Sequence, residues 1–227
     1  LPMSEIEDAK RILPEAVFTE LYLAEPSDDA GNPFGLSYIK ACRRKIDKPG
    51  AVVQHGVDLA KKQDFTVDVG LDLNGQVVKF ERWQHRPWGE TTAMLSTSIG
   101  GTFALVDSTG VGDAIVDGLK QRCPNVEGYV FSQPSKQRLL EALSLAIQSG
   151  SIAFDDDTLQ AELEAFEYEY TRTGVRYTAP EGLHDDCVYA LALANYGLTM
   201  RPRPVLFSTT IGSADVATER NWITDEW

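Results

Sequence analysis

FTVDVGLDL, residues 65–73, alternates without a break. Phe65, Val67, Val69, Leu71 and Leu73 fall on one side, and Thr66, Asp68, Gly70 and Asp72 on the other. A period of two marks a half-buried strand. Asn74-Gly75 follows, a strong signal for a two-residue hairpin, and QVVKFERW (76–83) reads as the return strand. Upstream, AVVQHGVDL (51–59) is an apolar run of strand length. The three together predict an antiparallel meander.

Beyond residue 83 the pattern changes. WGETTAMLSTSI reads as a helix, TFALVD as a buried strand, VGDAIVDGLKQR as a helix and VEGYVF as a strand. PSKQRLLEALSLAIQSG starts with Pro and stops at Gly, as helices prefer. DDTLQAELEAFEYEY is a helix, or a helix running into a strand, and GVRYTAP is short and extended. HDDCVYALALANYG predicts a last helix ending at Gly197. An antiparallel meander followed by alternating helices and strands predicts an α/β domain with a mixed five-stranded sheet over residues 51–199. Residues 1–50 read as a lead-in arm: helical pieces, with Ser4 and Glu7 spaced as a capping box, then turn chemistry in PSDDAGNPFG and DKPG. Residues 200–227 read as a loosely held tail.

The 227 residues are 43% hydrophobic and 24% charged, a globular composition. No apolar run reaches the ~18 residues of a membrane span, and LPMSEIEDAK has no apolar signal region. Three cysteines without CxxC spacing support neither a disulfide framework nor a zinc cluster. The net charge of −13 argues against a passive DNA-coating protein, which is usually basic. Residues 141–190 hold eleven acids against Arg172 and Arg176. Such a block reads first as a solvated helix face.

Four acids stand at element ends. Asp58 closes the first strand, where Asp is disfavoured. Asp107 ends TFALVD and opens DSTGVGD, a strand, glycine turn and helix. Carboxylates at the C-terminal ends of such strands face the crevice where α/β proteins bind ligands. Asp185 and Asp186 follow His184 and open an otherwise apolar helix. A helix start explains Thr109, Gly110, Gly112 and Asp113 through capping and the helix dipole, but it does not explain Asp107. With the first and fourth strands adjacent at the sheet centre, Asp58 and Asp107 would lie side by side, and the last helix could bring Asp185 or Asp186 to them. So many carboxylates cannot stay ionised together without positive charge. Hard divalent cations supply it, Mg²⁺ or Mn²⁺ best, and a pair of them can hydrolyse a phosphodiester.

GVDLAKKQDFT, LVDSTGVGD and HDDCVYALALA, in that order, resemble the C-terminal nuclease domain of the large terminase subunit of tailed phages. ILPEAVFTELYLAEP resembles that family's link from ATPase domain to nuclease. The likeness covers roughly residues 10–198. It implies a ribonuclease H-like fold and a motor protein that packages DNA into proheads and cuts the concatemer at initiation and headful termination. It makes Asp58, Asp107 and the pair Asp185/Asp186 the metal ligands, with Asp186 the preferred member. Asp64 fits an acidic position in the following hairpin, in a supporting role. Expected partners are double-stranded DNA, the ATPase domain of the full-length protein, the portal and the small terminase subunit, and no membrane, in the host cytoplasm. No GxxxxGK[ST] loop occurs, so the chain reads as an isolated domain or a cut from a longer one, without ATP hydrolysis.

Two other readings compete. DSTGVGDA is similar to the anion hole of ribokinase-type sugar kinases, which would make Asp113 the base. A non-catalytic docking module on the same fold would use the acidic helix to bind a basic partner. For the nuclease, Lys61, Lys62, Lys136, Arg138, Arg43, Arg44 and Lys45 are the candidate DNA contacts, and binding is expected to be weak and salt-sensitive.

Overall fold

The computed structural model describes residues 2–12, 18–23, 31–59, 64–110, 112–171, 174–178, 180 and 183–200. Five strands form the central sheet: β1 (Gln54–Asp58), β2 (Thr66–Leu71), β3 (Val77–Trp83), β4 (Phe103–Asp107) and β5 (Val126–Tyr129), in the order β3-β2-β1-β4-β5. β1–β2 and β2–β3 are antiparallel, and β1–β4 and β4–β5 parallel. This is the mixed sheet expected, with β1 and β4 adjacent at its centre. A separate antiparallel hairpin pairs β6 (Glu167–Thr171) with β7 (Gly174–Thr178).

The helices are α1 (Met3–Ile12), α2 (Leu36–Cys42), α3 (Trp88–Ile99), α4 (Gly112–Lys120), α5 (Gln133–Gln148), α6 (Asp157–Ala165) and α7 (Asp186–Met200), with a π-helical turn over Thr19–Leu23. They cover both sheet faces. On one, α3 and α4 bring Leu95, Ile99, Ile115 and Leu119 against Val57, Ala104 and Val106. On the other, α5, α6 and α7 bury Leu139, Leu143, Leu159 and Leu191 against Val67, Val69, Leu71 and Leu105. None of the helices described is long and apolar enough to cross a membrane.

α7 is apolar all round because it lies inside the molecule, buried from Asp186 through Asn195. It runs along β1 in the opposite direction. A Cβ on Gly56 would stand 2.1 Å from the Ala190 carbonyl oxygen and 2.2 Å from the Ala194 nitrogen, so helix and strand backbones nearly touch. Gly197 does not end the helix as expected. It lies inside the last turns, where a Cβ would come within 2.5 Å of the Gln54 side chain. Its job is close packing, which sequence punctuation cannot distinguish from a stop.

Other local expectations shift. The hairpin has three loop residues rather than two: Gly75 N–H donates to the Asp72 carbonyl at 3.1 Å, and Gly75 takes φ 76°. Ser4 lies within α1, so no capping box forms there. The lead-in arm is partly built into the core. Phe34, Ile39 and Cys42 are buried with the main cluster. Asn32 ties this segment down, donating to the Leu163 and Phe166 carbonyls at 2.8 and 3.0 Å. The tail after Met200 lies outside the described residues.

Candidate metal centre

Strand register sets the first two carboxylates. Val57 pairs with Val106 in the parallel β1–β4 ladder, so the next residues, Asp58 and Asp107, end adjacent strands at the same edge. Side chains alternate along a strand. Asp58 therefore shares the face of Gly56, against α7, and Asp107 shares that of Leu105. Asp58 is 8% exposed and Asp107 1%. Because α7 opposes β1, its N-terminus arrives at this same edge and delivers Asp186, 6% exposed, with half-buried Asp185 before it.

The electrostatics report the convergence. Burial holds the Asp58 carboxyl well above the usual carboxylate range, and the charges of Asp107, Asp186 and Asp185 push it further in that order. Lys136 opposes them. The Asp186 carboxyl is raised to about 6, first by burial, with Asp185, Asp64 and Glu162 adding to it. The Phe65 N–H, donating to Asp186 Oδ2 at 3.1 Å, works the other way. Among the described residues no three acid, histidine or cysteine side chains form a ready-made chelating group. The carboxylates are neighbours through their fields rather than a closed cage. The donor set is all oxygen and carries more negative charge than nearby side chains neutralise, which fits hard divalent cations.

The loop after Asp107 is held for that residue's sake. Thr109 N–H donates to Asp107 Oδ1 at 2.8 Å, and Thr109 Oγ1 accepts the Phe131 N–H at 2.8 Å. The threonine ties the ends of β4 and β5 together. Gly110 turns the chain at φ 69°. A Cβ on Gly112 would lie 2.5 Å from the Asp107 carbonyl oxygen, so only glycine lets α4 start so close. Asp113 is exposed on the first turn of α4.

The basic candidates divide. Lys136 Nζ sits 4.0 Å from the Tyr189 ring centre and within reach of the Asp58 field. Arg138 is exposed on the same helix. Arg43 is paired within the fold, bonding Asp157 and, at 2.8 Å, Gln160 of α6. Arg44 and Lys45 are exposed, Lys45 lying 3.7 Å from Asp47. Lys61 and Lys62 lie outside the described residues. His184 presents Nδ1 3.5 Å from Asp186 Oδ2 and packs edge-on against Phe65.

Two features of the site escaped the sequence reading. Glu162 is not part of a solvated face. It is 8% exposed, accepts the Cys187 N–H at 2.8 Å and pairs with Arg82 at 3.0 Å. The polar side of β2 is buried too: Asp68 Oδ1 lies 2.7 Å from His55 Nδ1, and Ser98 Oγ donates to Asp68 Oδ2. Strict alternation over residues 65–73 reads as a solvated polar face, whereas here it marks a buried polar network under α3.

Residues 55–196 match the terminase RNaseH-like domain family. The chain belongs to that family. The match runs from β1 through the body of α7 and so includes all four aspartates. A terminase large subunit of Thermus virus P23-45 is 34% identical over 154 residues, covering 65% of this chain and 32% of that protein. The chain thus spans about a third of that relative's length. The large terminase nuclease of thermophilic phage G20c with bound magnesium superimposes with a TM-score of 0.65 at 28% identity, covering 75% of this chain and 98% of the other. The same nuclease with bound cobalt gives a TM-score of 0.64. The fold is that of a ribonuclease H-like terminase nuclease, and the sugar-kinase likeness of DSTGVGDA does not carry over to it.

Proposed function

We propose that this chain is the DNA-cutting module of a phage large terminase subunit, a divalent-metal-dependent endonuclease that severs concatemeric viral DNA during packaging. The observation that carries the reading is the burial of Asp58, Asp107 and Asp186 at one sheet edge, set by the β1–β4 register and by the start of α7. The terminase family membership and the magnesium- and cobalt-bound nucleases of similar fold support it.

Asp58, Asp107 and Asp186, with Asp185 beside it, would hold Mg²⁺ or Mn²⁺, two ions in the full site. When bound, such cations activate water and stabilise the leaving oxygen of a phosphodiester. The chain's own residues prepare the place. Asp58 would share the cations with the other acids, whose charges all act on it. Asp107 is fixed by the Thr109 N–H, and Asp186 by the Phe65 N–H. Asp64 and His184 shape the Asp186 side. Lys136, whose charge acts on Asp58, would meet a DNA phosphate there, with Arg138 further along α5. No side chain is required as a covalent nucleophile. In the full-length protein, residues 1–50 would lead in from an ATPase domain, anchored through Asn32 and Phe34. The partners would be double-stranded DNA, portal and small terminase subunit, in the host cytoplasm.

Plasmid nicking tests this. Mn²⁺ should support it and EDTA should abolish it. Asp107→Ala should abolish it as well, while Asp113→Ala leaves it intact. Cutting that survives EDTA, or loss with Asp113→Ala alone, overturns the proposal.

A further inference from the structure

Arg82, on β3, lies outside every motif that leads to the metal centre, yet two contacts connect it to Asp186. Its Nη2 donates to Glu162 Oε1 at 3.0 Å, and Glu162 Oε2 accepts the N–H of Cys187, the residue after Asp186, at 2.8 Å. Its guanidinium also lies 3.3 Å over the Phe65 ring, and the Phe65 N–H holds Asp186 Oδ2 at 3.1 Å. One cation thus braces Asp186 through its main chain on one side and its carboxylate on the other.

We propose that Arg82 and Glu162 form a positioning pair that orients Asp186 for divalent-cation binding, an inference that rests on Asp186 being a ligand. The first N–H groups of α7 have no partner inside the helix. A carboxylate cap satisfies one and suits the helix dipole. Burying that carboxylate is costly unless it is paired, and Arg82 supplies the pair. A planar guanidinium can stack on an aromatic ring and donate in its own plane at once, which an ammonium cannot. Partners that orient metal ligands commonly contribute 10–100-fold to metal affinity.

The test is direct Mn²⁺ binding to the metal-free protein without DNA, read from the EPR signal of free Mn²⁺, beside the Mn²⁺ midpoint for plasmid nicking. Arg82→Gln should bind Mn²⁺ about 10–100-fold more weakly. Its nicking midpoint should shift by the same factor, and its rate at saturating Mn²⁺ should stay within a few-fold of the unsubstituted chain. Arg82→Lys should restore only part of the affinity. A purely structural role would lower the melting temperature and leave the Mn²⁺ affinity of the folded protein unchanged, and that result overturns the proposal. Should Arg82→Gln fail to fold, Glu162→Gln and Phe65→Leu decide: weakened Mn²⁺ binding in either supports the pair, and unchanged binding in both overturns it. If the unsubstituted chain binds no Mn²⁺, the metal centre itself falls and the pair with it, a failure distinct from an intact site indifferent to Arg82.

Discussion

Asp58 sets stability against function. A carboxylate buried at a strand end, in the field of three others, destabilises the metal-free fold, and bound cations would offset the repulsion. Asp58→Asn should therefore have opposite effects on two measurements. Nicking should fall roughly 10³-fold, since several kcal/mol of transition-state stabilisation would be lost. The melting temperature in EDTA should rise, by about 2–4 °C for each kcal/mol of repulsion relieved. Lower stability together with lost cutting would mean that Asp58 is structural. The pH dependence follows from the same charges. Asp58 and Asp186 both bind protons more tightly folded than unfolded, where a carboxyl titrates near 3.9. Their favourable contribution is complete below that value and fades as pH rises through the folded pKa, about 6 for Asp186. In EDTA the protein should melt at a higher temperature at pH 5 than at pH 8, and Mn²⁺ should stabilise it more at pH 8. A melting temperature that climbs from pH 5 to 8 without metal contradicts this. The four aspartates stood out because Asp is disfavoured at strand ends and two adjacent acids opening an apolar helix are uncommon. Glu162 and Arg82 were not, because a buried ion pair between separate elements has no local pattern.

The packing of α7 on β1 aligns two of the three site segments. Gly56 allows it, since a Cβ would run into the Ala190 carbonyl and the Ala194 nitrogen, which are backbone atoms and cannot rotate away. Gly56→Ala should cost about 1–3 kcal/mol, the usual range for overpacking, and should cut nicking further by moving Asp186 away from Asp58. Chemical denaturation with unchanged slope checks the first effect, and the Mn²⁺ midpoint the second. An alanine tolerated in both measurements would contradict this view of the interface. At this scale the sheet could be read from period and order alone: alternation, a hairpin signal, then helix and strand in turn. The glycines could not. Gly197 packs where a stop was expected, and Gly56 carries no sequence signal for the helix that lies on it. α2 was missed because its buried residues, Ile39 and Cys42, lie in a seven-residue helix between two runs of turn residues.

For the molecule as a whole, the −13 charge would leave the proposed DNA binding to a few cations near the acidic site. Binding should be weak, indifferent to sequence, and lost steeply between 50 and about 200 mM salt. Tight, salt-insensitive binding in a filter assay would contradict that. The compact body should also begin before residue 51. Full burial of a large apolar side chain is worth about 1.5–3 kcal/mol, and domains have only about 5–15 kcal/mol in total. A fragment starting at Ala51 loses Phe34 and Ile39 and should melt without cooperativity, while one starting at Gly31 keeps both and should still melt cooperatively. The central claim is that carboxylates from β1, β4 and the start of α7 share one cation site. Its most direct test is anomalous diffraction from crystals soaked in Mn²⁺. The expected result is manganese bound between Asp58, Asp107 and the Asp185/Asp186 pair. Manganese bound only elsewhere, with these four side chains unliganded, would contradict it.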